Sequence, residues 1–220
     1  MTNKPATPLQ SWRHWGVRQI VVVNEAHVAS HAVEDGAILW QFPWPGRSDA
    51  NASTSQPVPL DDQRLFISKG YHHGCSVWQI KQDAQGKWST QELWHNRNLK
   101  TKFTNVVVQG AFVYGLDEGI LTCVRLKDGK RMWKKGRYRN GQVMMIDGKL
   151  LVVSESGEVI LLEIDEKGSH EQGRFQAVEG KTWANPAFSS TFLLIRNSQQ
   201  AACYRLPLLP EAEPAVVTVP

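Results

Sequence analysis

The sequence predicts an all-β chain, a β-propeller of four-stranded blades with about four full blades and a partial fifth. Three observations carry this: one strand–turn–strand plan recurs five times, turn residues and a terminal aromatic recur within it, and helical periodicity is missing. The plan is clearest in "VYGLDEGILTCVRLKDGKRMW", Val113 to Trp133. It recurs in "IVVVNEAHVASHAVEDGAILW" (20–40), "RLFISKGYHHGCSVWQIKQDAQGKWSTQELW" (64–94), "KLLVVSESGEVILLEIDEKGSHEQGRF" (149–175) and "TFLLIRNSQQAACYRLPL" (191–208). The first apolar runs begin near Val21, Leu65, Phe112, Leu151 and Leu193, a period of roughly 40 to 47 residues that matches propeller blades. No window places apolar residues at i, i+3, i+4 and i+7 over three turns, which removes the helical repeat folds.

Taken in order, residues 1–15 read as an irregular segment in which Trp12 and Trp15 can pack on the first blade. Blades are expected at about 16–45, 46–102, 103–141, 142–178 and 179–208, and 209–220 is a Pro-rich flexible tail. Asp35-Gly36 and Asp128-Gly129 are read as two-residue hairpin turns with φ > 0 at both central positions. Gly86 and Gly168 sit in longer versions of that turn. Before the turn, Ser30, Val77, Cys123, Leu161 and Cys203 fall in one column of the repeat. Ala32, Gln79, Arg125, Glu163 and Arg205 lie two residues later, on the same face. The closing aromatics Trp40, Trp94, Trp133 and Phe175 are large enough to fill the seam between neighbouring twisted sheets.

Composition narrows the class further. The chain has 220 residues, long enough for one large all-β domain or two small ones, and a formal net charge of +4, which permits an anionic partner without demanding one. Its three cysteines, Cys75, Cys123 and Cys203, lie in apolar runs without a CxxC spacing and are expected to be buried and unbridged. No stretch has the roughly 18 apolar residues of a membrane span. "MTNKPATPLQSWRHWG" has no apolar signal-peptide core, so no export signal is expected from this start.

The stretches "YGLDEGILTCVRLKDGKRMWK", "GVRQIVVV", "FPWPG", "GYHHGC" and "WHNRNLKTKFTN" resemble the pyrroloquinoline-quinone-type repeat of bacterial quinoprotein-like propellers. The resemblance covers about residues 16–208 and implies a ring of seven or eight blades. It implies that this chain supplies the C-terminal half, an incomplete ring whose open blade faces invite a protein partner or a second copy of the chain. Members are often exported or periplasmic, and this chain leaves its compartment open.

The resemblance also implies an enzymatic alternative, a quinone- and Ca²⁺-dependent alcohol or sugar dehydrogenase. The expected reading is instead a non-catalytic scaffold, without catalytic, cofactor-binding or metal-binding residues. The Cys-Cys pair of those enzymes is missing, and no acid stands out as a buried base. Asp117 is read as part of the repeat's own strand and turn. His72, His73 and Cys75 offer metal-binding side chains, but adjacent histidines on a strand point to opposite faces, so the group reads as a polar turn. A basic surface is expected from Arg97, Lys100, Lys102, Lys134, Lys135, Arg137 and Arg139. Base-stacking aromatics do not interleave with these charges, which argues against nucleic acid. Trp183 is read as a plug between blades.

Overall fold

The computed structural model describes residues 10–14, 17–45 and 55–207. The expected tail, Trp15 and most of the loop before the second blade lie outside the described residues. Nineteen strands are present among them, and no helix. The first sheet holds β1 (Gln10–His14), β2 (Val17–Val23), β3 (His27–Ala32) and β4 (Ile38–Pro43). The second holds β5 (Val58–Pro59), β6 (Arg64–Lys69), β7 (Gly74–Gln82) and β8 (Trp88–Asn96). The third holds β9 (Val106–Gln109), β10 (Phe112–Asp117), β11 (Ile120–Arg125) and β12 (Arg131–Arg137). The fourth holds β13 (Gln142–Ile146), β14 (Lys149–Val153), β15 (Glu158–Ile164) and β16 (Ser169–Gln176). The fifth has three strands, β17 (Ala187–Ser189), β18 (Phe192–Arg196) and β19 (Ala201–Arg205).

Within every sheet the neighbours are consecutive and antiparallel, as a propeller blade requires. Residues 10–14, expected to be irregular, form β1 and pair with β2 from Gln10↔Val21 to His14↔Val17. "QSWRH" has no apolar run, so only its partner strand reveals it. β5 is short because Pro57 and Pro59 have no N–H to give a ladder.

Among the described residues the core is divided among four seams, each between consecutive sheets. Val21, Val28, Trp40 and Phe42 meet Leu65, Ile67 and Ile80. Phe66, Val77 and Leu99 meet Val113 and Val124. Leu116, Leu121 and Cys123 meet Leu150, Ile160 and Leu162. Leu151, Val153 and Val159 meet Leu193 and Ile195. Among the described residues no buried cluster joins the fifth sheet to the first.

The aromatics sit in these seams. Trp40 is buried in the first. Trp94 donates from Nε1 to the Leu126 carbonyl of the third sheet (2.8 Å), and Trp133 to the Asp165 carbonyl of the fourth (2.8 Å). Phe175 meets the edge of Tyr204 in the fifth. In three sheets the Trp pairs directly with the column residue: Ser30↔Trp40, Val77↔Trp94 and Cys123↔Trp133. A bulge follows each of these pairs. In the fourth sheet Leu161 pairs with Gly173, and Phe175 lies opposite Val159.

Two further expectations change. Asp35-Gly36 and Asp128-Gly129 close four-residue loops: Gly36 N–H donates to Ala32 O and Gly129 N–H to Arg125 O, and only the glycines have positive φ. The aspartates instead accept from the backbone N–H groups of Ala37 and Lys130. Two-residue turns with both residues at positive φ occur at Glu118-Gly119 and Asp147-Gly148. The second change concerns Cys203, which is exposed while Cys75 and Cys123 are buried. Its column position matches that of Cys123, but among the described residues nothing is packed on the far face of the fifth sheet. Phe192 (50% exposed) and Leu194 (44%) share that open face.

Candidate protein interface

In each sheet the turn between the second and third strands lies against the connectors that join neighbouring sheets, so these segments gather on one rim. In the second sheet Lys69, 0% exposed, ends β6 and donates from Nζ to the Glu25 carbonyl (2.9 Å) and the Trp44 carbonyl (3.2 Å). That ties the turn of the first sheet to its outgoing connector. Burial pulls the ammonium down from an ordinary 10.5 to about 8, against the opposing pull of Glu25. His73 is buried with its ring edge-on to Trp44 at 4.0 Å, and His95 reaches the His73 carbonyl from Nε2 at 3.2 Å. Tyr71 and His72 complete the turn at positive φ, while Cys75 lies buried on β7. Burial pushes the Cys75 thiol up to about 12.

Asp117, read from sequence as a routine turn residue, is 0% exposed. Its carboxylate takes the Lys100 ammonium at 2.6 Å, the Lys100 backbone N–H at 3.0 Å and the Lys134 ammonium. Two of the seven cations expected on the basic surface are therefore spent on a buried acid, inside the protein's own framework. Such a triad holds together only as a set, since each member would be costly to bury alone.

Further round the rim, Tyr138 N–H donates to Gly119 O at 2.7 Å and Glu155 N–H to Tyr138 O at 3.0 Å. The Glu155 carboxylate accepts from Asn140 N–H and from Trp183 Nε1, both at 3.1 Å. Burial raises its affinity for a proton, but these bonds and the nearby Arg139 outweigh it, and Glu155 titrates below its ordinary value. Gln142, 2% exposed, donates from one amide nitrogen to Phe103 O (2.6 Å) and Trp183 O (2.8 Å). This clamp brings two connectors together that are far apart in sequence. The Phe103 and Trp183 rings stack at 4.9 Å with 14° between planes. Lys181 Nζ lies 3.6 Å from the Trp183 centroid, and Lys102 Nζ lies 4.8 Å from that of Tyr71. Trp183 thus belongs to the rim surface and not to an inter-blade seam.

Beside this stack is a cavity of about 580 Å³ lined by Arg137, Tyr138, Arg139, Glu155, Glu158 and Lys181, among others. A smaller one of about 310 Å³ shares Lys181 and reaches Trp183 and Arg196. Of the expected basic residues, Arg137 and Arg139 line the larger cavity. Lys102 sits on the aromatics, and Arg97 and Lys135 are exposed elsewhere. Lys181 and Arg196 were not visible as members, because they enter from connectors and turns distant in sequence.

The sequence profile of the family described as outer membrane protein assembly factor BamB matches residues 17–135, more than half of the chain. The chain belongs to this BamB-type family of pyrroloquinoline-quinone-like repeats. BamB from Moraxella catarrhalis is similar in structure at a TM-score of 0.50 with 13% identity, over 84% of this chain and 68% of that one. Hsv2p from Kluyveromyces lactis is similar at 0.57 with 8% identity, over 92% of this chain and 60% of that one. A functionally unknown protein from Desulfotomaculum acetoxidans DSM 771 is similar at 0.60 with 13% identity, over 86% and 67%. These likenesses support the propeller fold, and the BamB-type chain described here spans 60–68% of the length of those relatives. No curated protein sequence matches it.

The rim of this BamB-type chain has its buried acid and its indole engaged by the chain's own side chains. Its most buried carboxylate, Asp117, is saturated by ammonium groups. The Trp183 indole already carries a phenyl ring and an ammonium. Among the described residues no three His, Cys, Asp or Glu side chains are gathered to hold a metal ion. Also among them, no helix is long and apolar enough to cross a membrane.

Proposed function

We propose that this chain is a non-catalytic propeller scaffold that binds a protein partner through the rim carrying Arg137, Arg139, Lys181 and the Phe103–Trp183 stack. The observation that supports it is the division of labour among polar side chains there. Asp117, Gln142 and Glu155 are turned inward to anchor connectors, while cations and aromatics face outward on the segments so anchored. Family membership supports the same reading, since the family is described as an outer membrane protein assembly factor. An exported location is part of the proposal. The open face of the fifth sheet offers a second contact, to a partner or to another copy of the chain.

Site-specific photocrosslinking tests the reading in bacterial cells that express the full chain. A crosslinker at position 139 is expected to give a discrete protein adduct, and one at position 87, in a turn of the opposite rim, none. Identical patterns from the two positions, or no adduct from 139, would sink it.

A further inference from the structure

We infer that the rim takes an acidic peptide segment of its partner, with carboxylates held by Arg137, Arg139 and Lys181 beside the Phe103–Trp183 stack. The inference rests on the scaffold reading above and specifies its partner's chemistry.

The cations of this region are set apart by where they sit, around two adjoining cavities. Arg64, Arg125 and Arg174 each close an ion pair with a carboxylate three residues away in sequence, and Lys100 and Lys134 are consumed by Asp117. Among the described residues, Arg137, Arg139, Lys181 and Arg196 form no such pair within 4.0 Å. Their positive charge is therefore not neutralised by a close ion pair, and it converges on two adjoining cavities of about 580 and 310 Å³. That space accepts a few side chains of a peptide and not a folded domain.

The backbone beneath is already fixed. Tyr138 and Asn140 are hydrogen-bonded to Gly119 and Glu155, and Gln142 clamps the carbonyls of Phe103 and Trp183. Little ordering of the site remains to oppose binding.

Charge pattern separates a peptide from a nucleic acid. Glu155 and Glu158 line the same cavity as the cations. A strand with a phosphate at every step would bring negative charge against Glu158, which is about one third exposed. A peptide can match its carboxylates to the cations and direct its backbone N–H groups to Glu158.

The test is fluorescence anisotropy on the full chain with three probes: a short fluorescein-labelled peptide of Glu and Phe, its Lys and Phe counterpart, and a single-stranded oligonucleotide of equal charge. Expected is binding of the acidic peptide that weakens with salt. Arg139→Glu with Lys181→Glu should reduce it by about tenfold or more, from two reversed charge contacts. Lys87→Glu, on the opposite rim, should leave it unchanged. Should the double variant melt early, Arg137→Gln alone carries the same expectation at about threefold. No binding of the acidic probe, equal binding to the double variant, or equal binding of the oligonucleotide would overturn the inference. Preference for the basic probe would overturn the partner chemistry while the scaffold reading stood, because that reading is decided by the crosslinks from position 139.

Discussion

Asp117 shows how one side chain can look ordinary in sequence and be costly in the fold. With no exposure and two ammonium partners, it converts two surface lysines into framework. Asp117→Ala would leave both lysines facing an uncompensated, partly buried site, and a loss of about 3–5 kcal/mol is expected in urea unfolding. Adding Lys134→Met should recover part of that loss, which tests the pair directly. The cysteines give a second check at this scale. Cys75 and Cys123 are buried, and burial pushes each thiol up to about 12. A thiol reagent at pH 8 should therefore label Cys203 at once and the other two only on unfolding; rapid labelling of all three would contradict the seams described here. The folded chain holds those two thiol protons more tightly than the unfolded one does. Their contribution to stability is complete below an ordinary 9.0 and is lost as pH climbs towards about 12.

At the scale of strands and turns, much could be read in advance. The column through Ser30, Val77, Cys123 and Leu161, and the aromatics that close each repeat, are set by local alternation and turn chemistry, which a sequence displays directly. β1 was hidden because "QSWRH" has no pattern of its own and is defined by its pairing with β2. The rim was hidden for a related reason. Phe103, Asp117, Gln142 and Trp183 come from separate connectors, turns and strands, and only the stacking of blades brings them together. Turn geometry gives a prediction of its own. Gly36 and Gly157 both have positive φ, but a Cβ on Gly36 meets nothing within 4 Å, whereas one on Gly157 would stand 1.9 Å from the Val178 carbonyl oxygen. Gly36→Ala should cost about 1 kcal/mol, from conformation alone. Gly157→Ala should cost about 3 kcal/mol or more, because the backbone of the following connector must move. Equal melting temperatures for the two variants would refute the close approach.

At the largest scale, the central fact is that, among the described residues, four separate cores join five sheets in series. Cohesion then passes from neighbour to neighbour, and each interior sheet is held twice while the first and the fifth are each held once. Native-state hydrogen exchange should show amides of β18 and β19 opening before those of β10 and β14. Leu193→Ala should hasten exchange in the last two sheets and leave the first seam untouched; a uniform rise across all sheets would argue for one shared core. The open face at Phe192 and Leu194 acquires a further meaning from this. A chain cohering in this way comes apart as a zip does, from its loose end, and whatever seats itself on that end works as the zip's stop. An occupant there would bind one sheet and steady the four behind it, so docking far from the rim would be felt at the rim as firmness.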